Sequence, residues 1–330
     1  MKNGSYVCVK PCIALDSLCF LEKRTLDRIQ WMNEKQIEEI KYINSLLPSD
    51  FGHDHIGMSN ICLIVSACIE NDLDALTIDD LIELFKNPKT IEKSVKEKIK
   101  KDDFRAYIYQ VLPYLNDGYA DDYIKKLEKL KSIDFENLYR ERIMPLVNEE
   151  ISEKEKEIAR YDTKELFKNI SVLKNIDNVG TPSIYISFFS APTAFSLYGG
   201  SFLACFCPPN SIDYYSLMAH ENMHGFASKE LTELYIKHTE SNDFLKARHK
   251  ALIEDYHSGD EEELVLAAEY YLSYLAGIFS KDELIKRAEQ RYGGCCSTSV
   301  VIFKLLVEEK EIPKNYNKWL TDLFKENKII

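Results

Sequence analysis

"SIYISFFSAPTAFSLYGGSFLACFCPPN", residues 183–210, is the longest stretch of this chain in which the apolar residues abandon helical spacing. It is rich in Ile, Phe, Tyr and Ser, and Gly199-Gly200 separates two runs able to pair, which predicts a β-hairpin or small sheet over about 180–207. On either side apolar residues recur every three or four positions, as in "LTIDDLIELFKN" (76–87) and "DDYIKKLEKLKSI" (121–133), the spacing of amphipathic helices. Thr77 with Asp79 and Asp80 supplies a cap and first-turn charge, and Pro88 follows the end of that helix. An apolar "YVCVKPCIAL" (6–15) predicts one short strand near the start. The fold class read from this pattern is α+β and predominantly helical, divided into a helical region over 1–170 and a second domain over 171–330. A break is expected at "YGGCC" (292–296).

Composition narrows the function. The chain has 330 residues, 45% of them apolar, and only 12 Gly and 10 Pro, as expected of a folded helical protein rather than a disordered one. A net charge of −12, from 42 basic and 54 acidic residues, leaves no basic surface for nucleic acid. The lysine-rich "KTIEKSVKEKIKKDDF" (89–104) is diluted by acids and reads as a solvated helix face. No run of about 18 apolar residues occurs, so no transmembrane helix is expected, and the N-terminus lacks the pattern of a signal peptide. The nine cysteines include no Cys-x-x-Cys pair. They read as reduced thiols of a cytoplasmic protein, with adjacent Cys295 and Cys296 as small buried hydrophobes.

Just beyond the hairpin lies "MAHENMHGF" (218–226), in which His220 and His224 stand four apart with Glu221 after the first. The expected helix spans 211–228, capped by Asn210 or Ser211 after Pro208-Pro209, with Asp213 in its first turn. On such a helix both imidazoles project from one face and can bind one metal ion. Glu221 lies about 100° further round, beside the metal, where it can take a proton from water. A tetrahedral zinc needs a third protein ligand. No histidine follows closely, and His238, His249 and His257 lie in polar segments that read as exposed. The remaining source is "GDEEELVLAAEYYLSYLAGIF" (259–279), a helix expected over 260–279 with small residues Ala267, Ala268, Ala276 and Gly277 for close packing. Glu261, Glu262, Glu263 and Glu269 are its candidates, against the simpler reading that Glu261 to Glu263 only favour the helix dipole.

Over about 180–290 the sequence resembles the gluzincin metallopeptidases, the thermolysin-like clan in which His-Glu-x-x-His on one helix is completed by a glutamate on a later one. The Asn-Glu-x-x-Ser-Asp form of thermolysin itself is missing. The resemblance implies a zincin-like catalytic domain with Zn2+ held by His220, His224 and Glu262, which is followed by Val265 at the clan's usual offset. It implies Glu221 as general base in peptide hydrolysis, a peptide or protein substrate, and an edge strand near the metal, for which "SFLACF" (201–206) is the candidate. Tyr256 and Tyr292 are candidate donors to the oxyanion. A peptidase-like protein that keeps the zinc fold but acts as a regulator or peptide-binding module is the alternative. The helical region over 1–170 is where a protein partner would dock.

Overall fold

In a computed structural model, the structure describes residues 7–22, 32–48, 51, 56–69, 73–101, 104–177, 179, 182–190, 194–206, 213–256 and 258–329. Pro208, Pro209, Asn210, Ser211 and His257 lie outside the described residues. The chain forms two compact units, Met1–Glu157 with Thr181–Ile212, and Ile158–Gly180 with Asp213–Ile330. The division therefore differs from the one expected at residue 170. The sheet segment belongs with the N-terminal helices, because its strands pair with a strand at the start of the chain. The segment before the sheet belongs with the C-terminal helices.

In the first unit, β1 (Cys8–Pro11), β2 (Ser183–Ser187), β3 (Ala194–Ser196) and β4 (Phe202–Cys205) form one sheet in the order β1-β2-β4-β3. β1 and β4 both run parallel to β2, with Val9 opposite Ile184 and Ile184 opposite Phe202. β3 and β4 make the expected hairpin, Phe195 opposite Leu203. Gly199 and Gly200 take φ of 83° and 81° in its turn, a region that favours glycine. All four residues of β4 are buried, as suits a strand paired on both sides and covered on both faces. This corrects one expectation: "SFLACF" is an interior strand, not an edge, and its backbone groups are already used by β2 and β3.

The helices of this unit are α1 (Ile13–Leu21), α2 (Glu34–Ser45), α3 (Met58–Cys68), α4 (Ile78–Phe85), α5 (Pro88–Lys98), α6 (Ala120–Ser132) and α7 (Met144–Ile158), with short turns of 3-10 and π-helix between α5 and α7. Thr77 caps α4 in a reciprocal box with Asp80, and Pro88 opens α5. The lysines of α5 lie mostly at the surface while Ile91 and Val95 are buried. Asp16 of α1 is wholly buried and ties this helix to the end of β2. It accepts from the amides of Phe188 (2.9 Å) and Phe189 (3.0 Å) and from the Tyr139 hydroxyl at 2.6 Å. The Ser187 hydroxyl donates to it as well. Around it Phe20, Phe135, Tyr139, Phe188 and Phe189 form an aromatic cluster.

The second unit is helical: α8 (Thr163–Lys174), α9 (Tyr214–Met223), α10 (Lys229–Thr239), α11 (Asp243–Glu254), α12 (Glu262–Leu275), α13 (Lys281–Gln290), α14 (Ser297–Glu308) and α15 (Tyr316–Lys325). α12 is its axis, packed on α9 and α14. Ala267 and Ala268 are fully buried there, and the Ser216 and Ser273 hydroxyls meet at 3.0 Å between α9 and α12. Ala276 and Gly277, by contrast, are exposed beyond the end of α12. The expected break appears as a 3-10 turn over Arg291–Gly294. Among the described residues, no helix is long and apolar enough to cross a membrane. The architecture is mostly helical with a small mixed sheet, an α+β composition.

Candidate metal centre

α9 is shorter than its sequence predicts. Asp213, rather than Asn210 or Ser211, is the cap, accepting from the Ser216 amide at 2.8 Å, and the last helical residue is Met223. His224 has φ −49° and ψ 146°, already extended, and Gly225 follows with φ 76°. That left-handed glycine ends the helix. The Lys174 ammonium, from the end of α8, donates to the Asn222 and His224 carbonyls at 3.0 and 2.8 Å, satisfying acceptors that a helix end leaves open.

The two imidazoles nevertheless converge. His220 Nε2 and His224 Nε2 are 3.2 Å apart, and the Glu262 carboxylate lies 3.7 Å from the first and 4.0 Å from the second. Ligand atoms of these three residues all fall within 4.8 Å of one another. The other ring nitrogens are engaged by carboxylates: His220 Nδ1 with Glu269 at 3.0 Å and His224 Nδ1 with Glu261 at 3.0 Å. An ionised carboxylate only accepts, so each ring donates from Nδ1 and turns a lone pair outward from Nε2.

The four glutamates weighed from sequence thus take four different positions. Glu262 faces the two Nε2 atoms, and the Tyr292 hydroxyl donates to it at 2.8 Å. Glu261 and Glu269 sit behind the rings. Glu263 turns away, accepting from Tyr235 at 2.9 Å and from the first-turn amides of Thr298 and Ser299 at 2.6 and 3.1 Å. It anchors the positive end of α14 and is not a ligand candidate. Glu221 lies on α9, half-buried, its charge felt by His220, outside the group of converging donor atoms.

The charges of the cluster act on one another. Burial by itself lowers the His220 pKa, but the charge of Glu262 and the bond and charge of Glu269 raise it to about 9. Burial likewise raises Glu262, yet the two histidines and the Tyr292 hydroxyl hold it below the usual glutamate range. Arg291 stacks its guanidinium 5.0 Å from the Tyr292 ring, and its charge also favours ionised Glu262.

Geometry can be set against the chemistry of an ion. Two bonds of about 2.05 Å at the tetrahedral angle separate their donor atoms by about 3.3 Å. The observed 3.2 Å between the Nε2 atoms meets this, and the carboxylate is within a small side-chain adjustment of it. The donor set of two neutral imidazoles and one carboxylate suits zinc.

Several residues went unassigned in the sequence reading. Tyr292 was a candidate oxyanion donor, but its hydroxyl rests on Glu262. It sits in a left-handed conformation (φ 48°, ψ 46°) ahead of two left-handed glycines, and Tyr-Gly-Gly is the local signal for that turn. Tyr256 is exposed and packs on the Tyr292 ring at 5.1 Å. His249 is half-buried rather than exposed, 3.4 Å from the Tyr235 hydroxyl and 3.6 Å from Asp260. No protein-family model, curated protein or solved structure matches the chain.

Proposed function

We propose that this protein is a zinc-dependent metallopeptidase, with His220, His224 and Glu262 as ligands and Glu221 as general base. The observation that carries the reading is the convergence of two imidazole Nε2 atoms and a buried carboxylate, with the opposite ring nitrogens engaged by Glu261 and Glu269. Lone pairs brought to 3.2 Å repel unless a proton or a cation lies between them, so zinc would take the place that a shared proton otherwise holds. Outer carboxylates on metal-binding histidines orient the rings and raise their basicity.

When bound, zinc would supply a Lewis acid that polarises a scissile carbonyl and lowers the pKa of water to about 7. The chain's own residues supply the proton path. Glu221, one residue beyond His220 and so about 100° round the helix, would accept a proton from the attacking water as the new C–O bond forms. It would return that proton to the amine as the C–N bond breaks. Tyr292 would keep the Glu262 carboxylate oriented throughout.

The test is direct. Protein purified without chelator should carry about one zinc per chain, and Glu221→Gln should keep the metal while peptide hydrolysis falls by a factor of about 10² to 10⁴. Zinc-free wild-type protein that takes up none on titration would end this reading. Zinc-loaded wild type that cleaves no peptide in a diverse library would leave a zinc-binding regulator in its place.

A further inference from the structure

The two histidines are four residues apart, yet only one is held by a helix. His220 lies within α9, so its Cα–Cβ direction is set by the helical backbone. His224 follows the last helical residue, in an extended conformation with Gly225 left-handed after it. Something other than helical periodicity must aim its ring.

Glu261 is placed to do so. One oxygen, Oε1, accepts from the His224 ring at 3.0 Å and from the Gly225 amide at 2.9 Å. It therefore fixes both the ring and the backbone of the residue that ends the helix. Glu261 occupies the N-cap position of α12, where an acidic side chain ordinarily accepts from its own helix. It makes no such bond and reaches instead to the end of α9. On the other side of the turn, Lys174 holds the carbonyls of Asn222 and His224. Acceptor and donor together clasp the turn.

We propose that Glu261 is a positioning residue of the metal centre, which sets His224 for metal binding where α9 no longer can, with Lys174 closing the same clasp. This rests on the reading of His220, His224 and Glu262 as a metal site. Glu269 plays the lesser part, because the ring behind which it stands is already aimed by its helix.

Zinc affinity measured by competition with a chromophoric chelator, alongside urea unfolding of the metal-free protein, tests the idea. Glu261→Ala should weaken zinc binding about 10- to 100-fold, the range for outer partners of metal ligands. Glu261→Gln, whose carbonyl can accept the same two N–H groups, should recover most of that loss. Glu269→Gln should weaken binding less than Glu261→Ala does. A merely structural Glu261 would lower metal-free stability and leave the affinity of the folded protein unchanged, which overturns the proposal. So does a Glu261→Gln variant as weak as Glu261→Ala, since charge rather than position would then be at work. If Glu261→Ala does not fold, Lys174→Met releases the same turn from the other side, and an unchanged zinc affinity there overturns the proposal equally. Failure of wild type to bind zinc would be a different result, removing the metal site itself.

Discussion

Asp16 in the first unit and Glu262 in the second are both buried carboxylates, and their surroundings are opposite. Asp16 meets four donors, two hydroxyls and two amides, and no neighbouring acceptor among its bonds. Glu262 meets one hydroxyl and, at 3.7 and 4.0 Å, the Nε2 atoms of two imidazoles. The first centre is complete within the chain. The second is a group of titratable side chains whose charges set one another. Glu263, next in sequence to Glu262, shows how local the distinction is: three donors converge on it and it belongs to the first kind.

The largest expected effect follows from the complete centre. Asp16→Ala strands the Tyr139 and Ser187 hydroxyls and the Phe188 and Phe189 amides, and each buried orphan costs about 1–3 kcal/mol. A loss above about 4 kcal/mol is expected in urea unfolding. Asp16→Asn should lose less, since its carbonyl still accepts on one side while its amide opposes a fixed backbone N–H on the other. An Asp16→Ala protein as stable as wild type would show that these bonds do not hold α1 to β2.

The second centre should reveal itself through pH. Metal-free His220 has a folded pKa of about 9 against 6.5 for the free side chain. Raised above its unfolded value, it contributes stability that is fully present below pH 6.5 and is lost as pH climbs through 9. The difference amounts to something on the order of 3 kcal/mol. With zinc saturating, the folded state carries no proton there, so stability rises as the unfolded side chain loses its own proton around pH 6.5 and is level above that. Urea midpoints at pH 6, 7.5 and 9, with chelator and with zinc, separate the two slopes. His220→Asn should flatten the one measured in chelator. Asp16 behaves in the same direction, beginning at lower pH. Burial raises its pKa despite four donors, so its contribution falls as pH rises above the ordinary aspartate value.

The parts of this contrast that were legible in sequence are those with short range. Thr77 and Asp80 named their own cap, Gly199-Gly200 named the hairpin turn, and the four-residue spacing of His220 and His224 named two rings that meet. Glu262 was reached through a resemblance, and its neighbours Glu261 and Glu263 could not be sorted by spacing, because about 100° of helix rotation per residue sends each to a different environment. What stayed hidden depends on distant pairing. Nothing in "YVCVKP" indicates that Val9 lies opposite Ile184, a pairing that draws the sheet into the N-terminal unit, or that β2 takes the free side of β4 and makes it an interior strand. The early end of α9 was signalled by Gly225, but a helix pattern that includes both histidines masks it. Tyr292 was visible only as one tyrosine among 20.

The smallest expected effect gives the sharpest comparison between the units. Gly225 and Gly199 both hold a left-handed backbone, φ 76° and 83°, and a Cβ at either should cost about 1–2 kcal/mol from conformation alone. At Gly199 an added Cβ meets nothing within 4 Å, so Gly199→Ala should express only that cost. Gly225 also donates its amide to Glu261 at 2.9 Å, and any rotation that relieves the alanine moves this N–H and, with it, the adjoining His224. Gly225→Ala should therefore differ from Gly199→Ala in lowering zinc affinity as well as stability. Equal affinities for the two variants would mean that the turn after Met223 can move without moving the His224 ring. The clasp formed by Glu261 and Lys174 would then hold the backbone without serving the metal centre.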